Sequence, residues 1–151
     1  MAVGLSVTEN NLEKAMRRLN NIIKQQVTKI DSSPKINIDA MLVPSAATLE
    51  LVELLNSAGP YGPGAKAPTF VFANMQISFV KRVGTSHLKI KFGDITGSLE
   101  AICFNAFEKE IGQALEKHDG RSIHLCGRLD INYWRGKRTV QLLLDDAQFA
   151  V

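Results

Sequence analysis

"LDINYWRGKRTVQLLLDD", Leu129 to Asp146, decides how the rest of the chain is read. It holds the only tryptophan, Trp134, followed at once by Arg135, Lys137 and Arg138 around Gly136. Apolar, strand-like sequence flanks this basic turn on both sides. "RSIHLCGRLDINYW" reads as one strand, "RG" as the turn and "KRTVQLLLDDAQ" as the next. A lone indole beside three cations is an odd ornament for a core. It suits a surface that meets flat, anionic partners.

Upstream of this hairpin the texture is also β. "TFVFANMQISFVKRV" is rich in Phe, Val and Ile and suits a long, bent first strand. "GTS" turns the chain. "HLKIKFGD" then alternates, with Leu88, Ile90 and Phe92 on one face and His87, Lys89 and Lys91 on the other. "ITGS" turns it again and "LEAICFNA" is a third strand. "FEKEIGQALEKHDG" is a short helix, with Phe107, Ile111, Ala114 and Leu115 inward and Gly120 at its end. Strands four and five are the hairpin around Gly136. Five strands with one helix between the third and fourth give the element order of an OB-fold, a partly open Greek-key barrel. That fold binds oligonucleotides on the face of strands two and three and with the loops joining strands one to two and four to five.

The segment before this barrel reads as α+β. "MAVGLSV" is strand-like, and Thr8 suits a helix N-cap. Leu12, Ala15, Met16, Leu19, Ile22, Ile23 and Val27 then recur at helical spacing. The polar run from Asp31 to Lys35, with Pro34 in it, breaks that helix. "INIDAML" alternates as a strand, and Ser45 after Pro44 can cap a second helix carrying Leu49, Val52 and Leu55. "SAGPYGPGAKAP" punctuates the chain, with Gly59 ending the helix. Residues 1–58 are therefore expected as a smaller helical α+β domain, 59–68 as a linker and 69–151 as the barrel. The cluster Gly59, Gly62 and Gly64 neither follows a strand nor opens a helix, so it fails as a nucleotide loop.

Composition bounds the partners. The chain has 151 residues, 45% hydrophobic and 22% charged, which supports a real core. A net charge of +3 permits an acidic partner without demanding one. Residues 1–67 hold 7 Lys or Arg against 6 Asp or Glu, and residues 68–151 hold 11 against 9, so position matters more than total. Lys81 and Arg82 close the first strand. His87, Lys89 and Lys91 line the second. Arg128, Arg135, Lys137 and Arg138 follow on the last hairpin. These are the surfaces an OB-fold offers a single strand. A single strand needs cations for its phosphates and flat rings for its unstacked bases. Tyr133 and Trp134 are the candidate rings. As neighbours on a strand they point to opposite faces, so one of them is expected to pack inward. The structural alternative is that Trp134 closes the barrel mouth and the cations form a solvated edge. Cys103 and Cys126 sit in apolar strand-like runs and read as reduced core thiols. The three histidines show no metal spacing with them. No run reaches membrane-spanning length and no leader pattern opens the chain, so no membrane partner is expected and a cytoplasmic location is the default.

These residues resemble a known family. The hairpin matches the pattern L-D-x-N-x-W-x-G-x-x-x-x-Q-L-x-I-x-D of the C-terminal OB domain of RecJ, the single-strand-specific DNA exonucleases of the DHH phosphoesterase superfamily. Leu129, Asp130, Asn132, Trp134, Gly136, Gln141, Leu142 and Asp146 carry the match, with Leu144 at the Ile position. His87, Leu88 and Lys89 match a second element. Pro60, Tyr61, Gly62, Gly64 and Pro68 match the family linker, although Ala65 stands where Asn is usual. "MAVGLSV" looks like the tail of a Gly-Gly-His motif in the DHH-associated domain. The resemblance implies that residues 1–58 are the remnant of that domain. It also implies a role as the single-stranded-DNA-binding portion of a 5′-to-3′ exonuclease of DNA repair and recombination. Hydrolysis in the family needs manganese or magnesium held by Asp and His of a catalytic DHH domain. This sequence has no Asp-His-His string, so the chain is expected to carry no cofactor and not to cut DNA alone. Single-stranded DNA is the expected partner, with the missing catalytic domain or a second copy as further ones. The alternative from another class is a protein-interaction or oligomerisation module with no nucleic-acid role.

Overall fold

The computed structural model describes residues 4–27, 35–108 and 110–150. It divides into two compact units, Met1–Ile36 and Asn37–Val151. In the first, a 3-10 turn at Glu9–Asn11 leads into helix α1, Leu12–Val27. Thr8 flanks the turn, but its hydroxyl accepts the Asn11 side-chain amide at 3.0 Å and caps no backbone N–H. The expected cap is thus replaced by a side-chain bond three residues on. The expected first strand is not formed at Gly4–Val7, and Met1–Val3 lie outside the described residues. Apart from Lys35, the expected helix break at 31–35 lies there too. No residue of α1 is buried, although its apolar stripe follows the helical period.

The second unit is a closed barrel. Its strands are β1 (Ala40–Met41), β2 (Phe70–Val83), β3 (His87–Asp94), β4 (Gly97–Cys103), β5 (Ile123–Trp134) and β6 (Lys137–Phe149). Sheet order is β1-β2-β3-β4-β6-β5, and β2 pairs β5 to close the ring. The β4–β6 pairing is parallel, while β2–β3, β3–β4, β5–β6 and β2–β5 are antiparallel. This is the five-stranded OB arrangement, with β1 added parallel to the start of β2. Strand β2 serves two partners because its register shifts between Phe72 and Met75 and again between Ile77 and Phe79. Those irregularities bend it across the barrel corner.

The alternation of "HLKIKFGD" survives intact: Leu88, Ile90 and Phe92 are buried. They meet Phe72, Ile77, Leu99, Ala101, Leu125 and Leu142 in one core, where the Phe72 and Phe92 rings stand edge-to-face at 5.3 Å. Helix α3, Glu110–Glu116, stoppers one end with Leu115. Gly127 sits at a bulge where a Cβ would lie 2.1 Å from the Leu143 carbonyl oxygen, so no larger residue fits between β5 and β6. Cys103 and Cys126 are buried and form no disulfide, and burial pushes the Cys126 thiol above its ordinary value.

The compact units divide about twenty residues before the linker expected at 59–68. Helix α2, Leu49–Ser57, packs against β5 and β6 with Val52 buried, and Ala47 joins the barrel core. The Gly/Pro-rich stretch is a turn within this unit, closed by a Gly62–Ala65 bridge, and the Tyr61 hydroxyl donates to the Leu55 carbonyl at 2.6 Å. Thr48, not Ser45, caps α2: its Oγ1 accepts from the Leu51 N–H at 3.2 Å. Ser45 lies in a 3-10 turn, Pro44–Ala46, which delays the helix by one cap.

Candidate nucleic-acid interface

The outer surface of the barrel is ordered by strand register. Lys81 lies opposite Lys89, Lys89 opposite Ile102, Ile102 opposite Leu143 and Leu143 opposite Arg128. A second row runs Phe79, Lys91, Glu100, Gln141 and Asp130. The two rows lie side by side, because alternate residues of a strand share a face. Three lysines of the sequence reading, Lys81, Lys89 and Lys91, therefore converge around Phe79. Phe79 is 49% exposed and, with Lys81, Arg82, Val83, Lys89 and Glu100, lines a shallow groove of about 550 Å³. Lys89 reaches Glu100 at 2.9 Å in a half-exposed pair. Lys81 and Lys91 make no such pair among the described residues.

Other expected contacts are committed elsewhere. Arg82 is among the residues that line the groove, but its head group is engaged at the α3 end. Its guanidinium grips Glu116 of α3 at 2.5 and 2.6 Å and lies 4.2 Å from the centre of the Phe107 ring. This pair holds the Glu116 carboxyl below its ordinary value and the guanidinium above its own. His87 accepts the Asn105 N–H through Nδ1 at 3.1 Å and meets Phe104 edge-on at 5.1 Å. It holds the turn after β4 rather than facing the groove. Arg128 pairs with Asp145 across β5 and β6 at 3.2 and 3.3 Å.

The β5–β6 hairpin forms the second cluster. β5 loses its β2 partner after Gly127, and β6 has no β4 partner before Gln141. Between these points the two strands continue as a ribbon paired only to each other. That is why the expectation of one inward aromatic is not met: Tyr133 is 69% exposed and Trp134 67%. Trp134 does not close the barrel mouth either. The last register pair is Trp134 with Lys137, leaving Arg135 and Gly136 as a two-residue loop. Their φ values, 48° and 74°, are both left-handed, as the turn that matches strand twist requires. Gly136 adopts this freely, whereas Arg135 does so at a steric cost. Arg138, opposite Tyr133, is ion-paired with Glu53 of α2 and lies 5.8 Å from the Tyr133 ring centre. Arg135 stands 5.8 Å from the Trp134 ring centre. Lys137 is exposed and without an ion pair among the described residues.

The hairpin tip and the β2–β3 turn lie at opposite ends of the strands, with Phe79 and Lys91 between them, level with Gln141 and Asp130. β4 and β6 run parallel, so the ribbon leaves the barrel at the end of the Asp94–Gly97 turn. The β2–β3 turn, Arg82 and His87 lie at the other end with α3. Sequence reasoning missed Phe79 and Glu53. Phe79 was legible in principle: in "SFVKRV" it shares the parity of Lys81 and Val83.

The RecJ OB domain family model matches residues 38–146, beginning beside the boundary of the second unit. The chain belongs to the RecJ OB domain family. Over 149 residues it is 30% identical to the single-stranded-DNA-specific exonuclease RecJ of Escherichia coli (strain K12), covering 97% of this chain and 25% of that protein. The RecJ exonuclease of Bacillus subtilis (strain 168) is 25% identical over 149 residues, covering 97% of this chain and 18% of that protein. The chain thus spans a quarter or less of these relatives' length. The crystal structure of RecJ in complex with Mg2+ from Thermus thermophilus superposes with a TM-score of 0.60 at 14% identity, over 90% of this chain and 20% of that one. That likeness bears on the fold.

Proposed function

We propose that this chain is the single-stranded-DNA-binding portion of a RecJ-like 5′-to-3′ exonuclease of DNA repair and recombination. The observation that carries the reading is the convergence of Lys81, Lys89 and Lys91 around the exposed Phe79 on the β2–β3 face. The lysines neutralise phosphates and release the counterions condensed on the strand, and an unstacked base lies on the ring. Glu100 holds Lys89 when no strand is present, and an arriving phosphate competes for it. Duplex DNA hides its base faces, so preference for single strands follows from the stacking half of the site.

Residues 1–58 are, in this reading, the remnant of a DHH-associated domain, in a cytoplasmic protein. Cleavage belongs to a catalytic domain outside these residues. The described residues contain no group of three or more His, Cys, Asp or Glu able to hold a metal ion. No described helix is long and apolar enough to cross a membrane. A second reading is favoured by α1, whose Leu12, Met16, Ile22 and Ile23 are all exposed. That stripe suits packing against the catalytic domain or a second copy. Gel filtration with and without oligonucleotide separates the two: a stable dimer indifferent to DNA supports the second reading.

The test of the first reading is anisotropy of a labelled oligonucleotide, single-stranded and duplex, with the wild-type chain and with Trp134→Ala/Arg135→Ala/Lys137→Ala. Single strands should bind more tightly than duplex, and the triple variant should bind more weakly. Equal affinity of the variant would exclude the hairpin from the site.

A further inference from the structure

The geometry points to a two-sided use of the β5–β6 hairpin: a single strand straddles its tip, placing one base on Trp134 and another, across the ribbon, on Tyr133. This rests on the proposed single-strand binding and specifies how the arm takes part. A base-stacking strand of an ordinary sheet offers rings on one face, because the other face is core. Here β5 and β6 run on beyond the strands that flank them in the barrel, and past the contact with α2 their tip carries an exposed ring on each face. Tyr133 and Trp134 are consecutive, hence on opposite faces, and both are about two-thirds exposed. Their cross-strand partners agree: Tyr133 lies opposite Arg138, and Trp134 opposite Lys137.

Each face pairs one ring with cations. On the Tyr133 side Arg138 is fixed by its ion pair with Glu53, so that ring and guanidinium are held before any strand arrives. On the Trp134 side Arg135 and Lys137 flank the indole. The connection between the two stacked bases must cross Arg135 and Gly136. That tip is narrow and cationic, and a Cβ built on Gly136 would meet nothing within 4 Å. A phosphate passing over it meets Arg135 and Lys137. Flexible single strands can make this turn and a duplex cannot, so the arm adds strand selectivity to the charge-based contacts of the β2–β3 face.

The full 151-residue chain allows a direct test, since Trp134 is its only tryptophan and its emission reports one face alone. Affinity for a fluorescein-labelled oligothymidylate is measured by anisotropy for wild type, Trp134→Ala, Tyr133→Ala and the double variant. Trp134 quenching is followed in wild type and in Tyr133→Ala. Each single substitution should weaken binding about tenfold, the double by about the product, and Tyr133→Phe should restore wild-type affinity because it keeps the ring. Trp134 should be quenched at saturation. Melting temperatures should be unchanged, because both side chains are exposed. If Trp134→Ala weakens binding and Tyr133→Ala does not, the strand lies on one face and the straddled arrangement is wrong. If neither matters but Lys89→Ala/Lys91→Ala still weakens binding, the arm is not used and the single-strand reading stands. If the wild-type chain binds no oligothymidylate, both readings fall.

Discussion

The β2–β3 face and the β5–β6 arm carry similar side chains on different supports. On the face, Phe79 and three lysines stand above a core in which Ile90 and Phe92 are fully enclosed. Their spacing is fixed by register with β2 and β4 on either side of β3. On the arm, two rings and three cations ride a ribbon with no third strand. Their placement comes from a two-residue turn and one ion pair to α2. One recognition surface is thus set by burial, the other by local turn chemistry. Substitutions can separate the two.

The largest effect is expected beneath the face. Phe92→Ala should cost about 3–5 kcal/mol in denaturant unfolding, because a fully buried ring leaves a cavity. Trp134→Ala should change stability by no more than about 0.5 kcal/mol. Comparable losses at both positions would erase the proposed difference in support. Next comes Phe79→Ala, which removes a stacking surface and not a core residue. Single-strand affinity should fall by about 1–3 kcal/mol with the unfolding midpoint unmoved. A shift in stability with no change in affinity would reassign Phe79 to packing.

Smaller still is Gly136→Ala, which forces a Cβ into a left-handed backbone at φ 74°. The local cost is about 1 kcal/mol. Hydrogen exchange should quicken in the arm amides and stay unchanged in β3 and β4. Uniform acceleration would mean that the arm is not an independent element. The smallest effect concerns the Arg82–Glu116 pair, which ties the end of β2 to α3. The Glu116 carboxyl is held below its ordinary value, chiefly by the Arg82 hydrogen bonds. Its contribution is therefore present at neutral pH and is lost as pH falls through the lowered value. Thermal melts from pH 7 to pH 3 should show a shallower acid decline for Glu116→Gln than for wild type. Identical profiles would show that this exposed pair contributes nothing.

Much of this was legible in the sequence, for identifiable reasons. Strict alternation in His87–Asp94 marks a strand with one buried face, and turn residues at 84–86 and 95–98 count the strands around it. The hairpin pattern around Trp134 and Gly136 carried the family. What was not legible depends on where partners end. Tyr133 and Trp134 stay exposed because β5 outruns β2 and β6 starts before β4 joins it, and no local pattern encodes that. Arg82 was expected with Lys81 at the end of the first strand and does line the groove, but its guanidinium is held by a carboxylate 34 residues away, which no local pattern encodes. His87 alternates with the core residues as the lysines do, yet Asn105 claims its Nδ1. The Gly/Pro stretch at 59–68 resembles a linker in composition. The structure divides earlier because α2 buries Val52 within the barrel unit.

The central claim is that lysines around Phe79 bind the phosphates of a single strand. It is tested most directly by the salt dependence of oligothymidylate binding to wild type and to Lys81→Ala/Lys89→Ala/Lys91→Ala. The account predicts weaker binding by the triple variant and a log–log salt slope shallower by about 2, roughly 0.7 for each lost phosphate contact. An unchanged affinity and slope would contradict it.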